Sequence, residues 1–171
     1  MKSTGIIRKV DELGRIVLPI ELRRTLDIAE RDELEIFMEK DVFCKIIDGE
    51  LPSKKIYEDE YTLVFMDIAD DVDGHTLVIP KKHCRNTLDC DSETLHHVID
   101  TVQKVANHYV NDCGYDGVDI INANEPSAGQ TVFHLHYHII PRKENDGVPS
   151  FPKYTGTKLS KDELFQKLKM M

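Results

Sequence analysis

Apolar residues recur along the chain with two periodicities, and together they predict its main elements. Residues 92–110 place apolar side chains three and four positions apart, which predicts an amphipathic helix with Asp91 or Ser92 as N-cap and Gly114 beyond its end. Strands are predicted in YTLVFMDI, HTLVIP, GVDIINAN and TVFHLHYHII, and SKDELFQKLKMM predicts a closing helix. One long helix among several strands predicts an α+β domain with an antiparallel sheet.

The first forty residues follow a different pattern of shorter elements. GIIRKV and RIVLP predict two strands joined by a turn, IELRRTLDI predicts a short helix after Pro19, and DELEIFMEK alternates apolar and mostly acidic residues. A piece of about forty residues is too small to bury a core alone, so we expect it to dimerise or to pack on the rest. DVFCKII fits either its last strand or the first helical turn of the next part. We place the domain boundary between residues 42 and 43.

Charge is unevenly divided between these parts. Residues 1–24 contain six basic and three acidic residues and carry +3; the whole chain carries -9, so the remainder carries -12. The total charge argues against nucleic-acid binding by the whole chain, and the basic N-terminus indicates a separate role there. The sequence has no apolar run typical of a signal peptide or a membrane span, and its four cysteines form no tight framework. We therefore expect a cytoplasmic protein with reduced thiols and no membrane association.

Three histidines alternate with other residues in GQTVFHLHYHIIPR, residues 129–142. In a strand, every second residue shares one face, so His134, His136 and His138 are expected on the same side. The spacing alone fits a metal site, a structural role and catalysis. A fourth histidine, His75, begins HTLVIP and fits a structural role and a place at the site equally well.

Small and neutral polar residues precede the three histidines. Glycine permits close approach of the backbone, and amide and hydroxyl groups hydrogen-bond to phosphate oxygens. Imidazole is an effective nucleophile at neutral pH, because one nitrogen can attack while the other keeps its proton. The combination favours phosphoryl chemistry, with flanking histidines managing charge and protons. The polar residues are Asn124, Gly129, Gln130 and Thr131.

HLHYHII resembles the signature of the histidine-triad family, His-x-His-x-His followed by two apolar residues. FMDIADDVDGHTLVIPKKH, NEPSAGQTVFH and IIPR, in this order, extend the resemblance over residues 43–171 and to the nucleoside phosphoramidate hydrolase branch. The resemblance implies a nucleotide hydrolase or transferase that acts at the α-phosphate of a purine nucleotide. It also implies a two-fold homodimer and no required cofactor.

The resemblance assigns roles to individual residues. His136 would be the nucleophile that forms a nucleotidyl-histidine intermediate, His138 would hold the phosphate and assist proton transfer, and His134 completes the triad. Asp67 would bind the ribose hydroxyls, and Ile68 would lie against the base. The phosphate site would be lined by Asn124, Gly129, Gln130 and Thr131.

A zinc site is implied less directly. Many bacterial members carry Cys-x-x-Cys near the start of the domain and bind zinc with two histidines. Here Asp41 stands at the first cysteine position, and Cys44, His83 and His134 match the other three ligands. Aspartate also ligates zinc, so a structural zinc ion stays an expectation.

GRIVLPIELRR and its surroundings resemble the AbrB-type swapped-hairpin DNA-binding module, in which two chains interlock into a small β-rich dimer. The resemblance implies DNA binding through basic side chains that can pair with phosphates. Two alternatives stay open: a transcriptional regulator whose triad domain senses nucleotides, and a nucleotidylyl transferase. The basic residues are Arg8, Lys9, Arg15, Arg23 and Arg24.

Overall fold

The computed structural model describes residues 19–25, 27–29, 40–69, 71–149, 154 and 156–170. Two compact units divide the chain, residues 1–39 and residues 40–171. The described part of the first unit contains helix α1 (Ile20–Thr25), which confirms the short helix expected after Pro19. The strands expected before Pro19 and the alternating segment 32–39 lie outside the described residues.

Five strands of the second unit form one antiparallel sheet, in the order β1-β2-β3-β5-β4. The sheet confirms the predicted α+β class. β1 was not predicted, because the two apolar residues of KIYE are adjacent and do not alternate with polar ones; pairing with β2 holds it in place, with Tyr57 opposite Val64. The strands are β1 (Lys55–Glu58), β2 (Thr62–Met66), β3 (Thr76–Pro80), β4 (Gly117–Ile121) and β5 (Tyr137–Arg142).

Helix α2 (Val42–Ile47) decides between the two interpretations of DVFCKII in favour of a helix. Its N-cap is Asp41, whose Oδ1 accepts hydrogen bonds from the backbone amides of Phe43 and Cys44 at 2.8 and 3.0 Å. Aspartate at this position satisfies amides that the helix itself cannot pair. The helix belongs to the second unit, and the predicted boundary between residues 42 and 43 falls within its first turn.

Both faces of the central strands are covered by helices. Alternate residues of β2 point to opposite sides, so Val64 packs in the core beneath α3 (Ser92–Asn111), while Leu63 and Phe65 pack with Phe43 of α2. The predicted stripe of α3 faces the sheet through Val98, Val102, Val105 and Tyr109.

The helix ends follow their capping residues. Asp91 caps α3 by accepting a hydrogen bond from the Thr94 amide at 2.9 Å, and Gly114 adopts a φ of 77° beyond its end. The closing helix, α4 (Lys161–Leu168), begins at the capping box of Ser160 and Glu163. Among the helices of the described residues, none combines the length and the apolar character that a membrane span requires.

The strand expected over TVFHLHYHII begins late, at Tyr137. Only His138 lies on β5, opposite Leu77 of β3; His134 and His136 precede the strand, so the expectation of three histidines on one strand face was wrong. Residues 134–136, the approach to β5, hydrogen-bond instead to the chain that follows β3: the Leu135 amide donates to the Cys84 carbonyl at 2.8 Å.

Candidate active site

His136 is held in one tautomer at the approach to β5. Its ring is 5% exposed, and Nδ1 lies 2.7 Å from the carbonyl oxygen of His134. A carbonyl can only accept, so Nδ1 carries the proton, and Nε2 of the neutral ring keeps its lone pair. The edge contact of Phe43, with ring centroids 5.3 Å apart, adds an apolar wall. The arrangement is that of a buried imidazole prepared for nucleophilic attack through Nε2.

His138 is joined to two further side chains by a line of hydrogen bonds. Its Nδ1 lies 2.8 Å from Nε2 of His75, and Nδ1 of His75 lies 2.9 Å from Oδ1 of Asp71. The carboxylate can only accept a hydrogen bond, so His75 donates to it through Nδ1. Nε2 of His75 then accepts a hydrogen bond from the Nδ1–H group of His138. His138 is then left with an unprotonated Nε2. His75 therefore faces the site, and Asp71, which sequence reasoning missed, orients it.

Burial sets the charge of His138. The loss of hydration, followed by the neighbouring charges of His136 and His75, lowers the pKa of His138 to about 4. The hydrogen bond from His75 lowers the pKa of Asp71. At neutral pH the site thus holds a neutral His138 and an ionised Asp71, which suits a base whose acquired proton is stabilised further along the line.

Gln130 is engaged on all sides by the protein. Its Nε2 donates to the carbonyls of Arg85 and Val132 at 2.7 and 3.0 Å, and its Oε1 accepts from Asn86 Nδ2 and the Glu125 amide at 3.0 and 2.9 Å. These four bonds use the full capacity of a primary amide. The side chain is buried and braces the loop through these bonds, and the phosphate contact expected from the sequence stays a prediction.

The other predicted phosphate residues surround this brace. Asn124 accepts from the Thr87 amide at 2.8 Å and donates to Asn122, which in turn donates to the His136 carbonyl at 2.8 Å. Gly129 has a φ of 95°, in the left-handed region that favours glycine, and Thr131 is exposed. Asn122 was missed by the sequence analysis, although its position directly after a strand was the available signal.

Asp67 follows the end of β2 and lies beside the hydrogen-bonded residues Asp71, His75 and His138, which are called the histidine line below. Its Oδ2 is 3.6 Å from Nε2 of His75, and its Oδ1 accepts from the Ala69 amide at 3.0 Å. Ile68 is 97% exposed and offers an uncovered apolar surface. A cleft of about 540 Å³ opens beside Asp67, Asp71 and His75, adjacent to the histidine line.

Asp41, Cys44 and His134 bring three metal-binding groups together, with their ligand atoms within 4.8 Å of one another. His134 donates through Nε2 to the Pro80 carbonyl at 2.9 Å, so the lone pair of Nδ1 faces Asp41 Oδ2 at 3.3 Å and Cys44 Sγ at 3.6 Å. His83 Nε2 also lies 3.3 Å from Asp41 Oδ2. A lone pair facing a carboxylate is stabilised by a cation between them, and the oxygen, sulfur and nitrogen donors suit zinc.

Burial and local hydrogen bonds shift the pKa values of the groups in this cluster. Burial opposes ionisation of Asp41, but hydrogen bonds from the amide and thiol of Cys44 and from the Phe43 amide outweigh it, so the pKa of Asp41 is lowered. Burial, together with Asp41, raises the pKa of Cys44 to about 11, and burial lowers the pKa of His134. Without a metal ion the thiol stays protonated; a bound ion would favour its thiolate.

The predicted DNA-contacting residues belong to the first unit. Arg23 and Arg24 lie in the last turn of α1. Arg8, Lys9 and Arg15 lie outside the described residues. The structure therefore brings Asp67, His75 and His138 together at one place and Asp41, Cys44 and His134 at another, whereas the basic set is described only in part.

A family model described as HIT domain matches residues 48–145. The chain belongs to the HIT domain family. A HIT-like protein of Borreliella burgdorferi is 44% identical over 132 residues, which cover 75% of this chain and 93% of that protein. The adenosine 5'-monophosphoramidase hnt1 of Schizosaccharomyces pombe is 34% identical over 116 residues, which cover 65% of this chain and 84% of that protein. The adenylylsulfatase HINT3 of Arabidopsis thaliana is 40% identical over 105 residues, which cover 61% of this chain and 53% of that protein.

Solved HIT structures share the fold. A HIT family protein of Bacillus anthracis matches with a TM-score of 0.66 and 38% identity, over 75% of this chain and 92% of that chain. A zinc-bound histidine triad family protein of Mycobacterium smegmatis matches with a TM-score of 0.59 and 39% identity, over 62% of this chain and 77% of that chain. A second family model, antidote-toxin recognition MazE of bacterial antitoxins, matches residues 7–47, which accords with an AbrB-like N-terminal module.

Proposed function

We propose that the protein hydrolyses nucleotide conjugates at the α-phosphate, through a nucleotidyl-histidine intermediate on His136. The observation that carries the proposal is the 2.7 Å hydrogen bond from His136 Nδ1 to the His134 carbonyl, which leaves Nε2 as the attacking nitrogen. Membership of the HIT family, with relatives named as a monophosphoramidase and an adenylylsulfatase, supports the same class of reaction.

The reaction has two steps. His136 Nε2 attacks the α-phosphorus, a bond to phosphorus forms, and the bond to the leaving group breaks, so the leaving group departs with that electron pair and takes up a proton from solvent, which is returned to solvent after the second step. Water then attacks the same phosphorus, the bond from His136 to phosphorus breaks, and the nucleoside monophosphate is released. Dividing the reaction in this way replaces one difficult displacement by two easier ones.

His138 serves the second step as general base. Its neutral Nε2 takes a proton from the attacking water, while its Nδ1 proton moves toward His75. The positive charge that develops on His75 is stabilised by Asp71 at 2.9 Å. His134 acts through its backbone, since its carbonyl fixes the tautomer of His136.

The nucleoside binds beside the end of β2. Asp67 accepts hydrogen bonds from the ribose hydroxyls, and the exposed side chain of Ile68 packs against a purine base. The phosphate lies along Gly129 and Thr131, with Asn124 contributing the hydrogen-bonding capacity that its bonds to Thr87 and Asn122 leave over. Gln130 contributes by holding the loop.

Zinc, where bound, would be held by Asp41, Cys44, His83 and His134, and it would tie α2 to the approach to β5. His83 now donates from Nε2 to the Phe133 carbonyl at 3.1 Å, so its ring must turn to complete the set. The ion would serve the fold, and no step of the reaction passes through it.

The decisive experiment measures release of AMP from adenosine 5'-phosphoramidate. Wild type, His136→Ala and the control His96→Ala, an exposed histidine on α3, are compared. We expect His136→Ala to lower turnover at least a thousandfold while nucleotide binding persists, and His96→Ala to retain activity. AMP bound equally by all three proteins without any turnover would instead indicate a nucleotide-sensing regulator. Slow hydrolysis accelerated by one phosphorylated acceptor would indicate a nucleotidylyl transferase.

A homodimer is the expected assembly. β4 is an edge strand of the sheet, and its Ile120 and Ile121 are 48% and 46% exposed, which is suited to burial against a second copy. Sedimentation equilibrium would distinguish the dimer from a monomer and from a tetramer joined through both units. We expect Ile120→Lys to shift a dimer toward the monomer.

We also propose that the N-terminal unit binds duplex DNA as a dimer, and the observation that favours this is the MazE match over residues 7–47. The five basic side chains would pair with phosphates, so affinity should fall with salt in proportion to the contacts made. Replacing Arg8, Arg15, Arg23 and Arg24 with alanine should flatten this dependence. Unchanged affinity in that variant, or a flat salt dependence in the wild type, would remove the proposal and leave dimerisation as the role.

A further inference from the structure

Two thiols face each other at the ends of the turn between β3 and α3. Sγ of Cys84 lies 2.7 Å from Sγ of Cys90, although both cysteines are free. This separation is only about 0.7 Å longer than a disulfide bond. Cys84 is 6% exposed and Cys90 is partly buried, and neither takes part in the reaction proposed above.

The turn that these thiols close braces the loop beside the histidines. Arg85 Nε and Nη2 each lie 2.8 Å from a carboxylate oxygen of Glu125, and Asn86 donates to Glu125 as well as to Gln130. Glu125 has a φ of 72°, which residues other than glycine rarely adopt, so these bonds hold a strained position. A covalent link across the turn would therefore restrain the scaffold of the candidate site.

We propose that Cys84 and Cys90 form a reversible dithiol–disulfide couple, a redox modification site whose oxidant is a peroxide. The partly exposed Cys90 reacts first: its sulfur attacks a peroxide oxygen, the O–O bond breaks, and a sulfenic acid and one water form. The sulfur of Cys84 then attacks the sulfenic sulfur, the S–O bond breaks, and a second water leaves. Two thiols are oxidised, hydrogen peroxide is reduced to two waters, and two thiols of a reductant reverse the change.

The pKa values of the two thiols and the distance between their sulfur atoms control the rate and the product of this oxidation. Burial raises the pKa of both Cys84 and Cys90, so the reactive thiolates are scarce at neutral pH. The short distance acts in the opposite direction, since the resolving thiol is already in place when the sulfenic acid forms. We expect slow oxidation that gives the disulfide rather than higher sulfur acids.

The test uses the full chain carrying Cys113→Ser, which removes the exposed thiol. The protein is treated with hydrogen peroxide, alkylated and digested with trypsin. Cleavage after Arg85 separates the two cysteines, so a disulfide is seen as peptide 83–85 linked to peptide 86–104. The linked pair should appear after oxidation, disappear on reduction, and be absent when Cys90→Ser is added. The oxidised protein should melt roughly 5 °C higher than the reduced protein, because the link restricts the unfolded chain.

Three results would overturn the proposal. The first is full alkylation of Cys84 and Cys90 after peroxide has consumed the exposed Cys113 in the unsubstituted chain. The second is a linked pair that joins either residue to Cys44. The third is conversion of Cys90 to a sulfinic acid with Cys84 still alkylatable. All three readouts are independent of nucleotide turnover, so they are separate from the fate of the proposed hydrolase activity.

Discussion

Replacing Gln130 with alanine separates a structural brace from a substrate ligand. The side chain is 4% exposed and makes four hydrogen bonds within the protein. Its removal leaves the Glu125 amide and the carbonyls of Arg85 and Val132 without those partners. Asn86 Nδ2 keeps its 2.9 Å bond to Glu125 Oε1, so it loses less.

The cost follows from counting the groups left unpaired. At about 1 kcal/mol for each of three backbone groups, Gln130→Ala should lower the free energy of unfolding by about 3 kcal/mol. For a chain of this size the melting temperature should fall by roughly 9 °C. The matched control is Gln103→Ala, on the exposed side of α3, which should change the free energy of unfolding by less than about 0.5 kcal/mol.

Urea unfolding followed by tyrosine fluorescence is the appropriate assay. The protein has six tyrosines and no tryptophan, and every tyrosine lies between residues 57 and 154, so the signal reports on the HIT unit alone. A variant that unfolds at the same urea concentration as the wild type, yet has lost AMP binding, would refute the reasoning. It would return Gln130 to the role of a phosphate ligand.

Three further predictions follow from the charges at the site. Asp71→Asn should lower kcat about tenfold with little change in KM, because an amide cannot stabilise a cationic His75; the exposed Asp73→Asn is the control, and kcat measured against pH is the readout. The pKa of His138 is about 4 in the folded protein and 6.5 in the unfolded chain, so the unfolded state binds the proton first as pH falls from 7 to 4. The wild type should therefore lose about 3 kcal/mol of stability over that range relative to His138→Gln, which urea titrations at each pH would measure. Metal analysis should find zinc with the Cys44 thiol protected from alkylation, and the variant Asp41→Cys should hold zinc more tightly; a metal-free wild type with freely alkylated Cys44 would argue against the site.

The elements predicted correctly were those with a strong period. The buried stripe of α3 and the apolar strands β2 and β3 follow directly from side-chain spacing, since burial on a helix or in a sheet imposes that spacing. β1 was not predicted because a four-residue strand at a sheet edge, without an alternating pattern of its own, is stabilised by its neighbour. The late start of β5 was not predicted for a similar reason. The alternation of histidines continues through His134 and His136, but this segment hydrogen-bonds to the end of β3 and to the chain that follows it.

The candidate site was predicted in composition but not in its connections. The order of motifs was sufficient to nominate the histidines, Asp67 and the loop of residues 124–131. Hydrogen bonds between distant segments carry no periodic signal, so the link from His75 to His138 and the bond from Asn122 to the His136 carbonyl are apparent only in the structure. Gln130 shows the limit most directly, because an amide suited to phosphate is equally suited to backbone groups.

In the proposed reaction the three histidines of the motif differ in function because their Nδ1 atoms meet different partners. Nδ1 of His136 donates to a carbonyl, which prepares Nε2 for attack, whereas Nδ1 of His138 meets His75 and connects a base to a distant carboxylate. Nδ1 of His134 faces Asp41 and Cys44, where a cation would complete the contact. Burial keeps His134 and His138 neutral at physiological pH. Identical residues at equal spacing can therefore divide metal binding, nucleophilic attack and proton transfer among themselves, and the partner of the second nitrogen decides which task each performs.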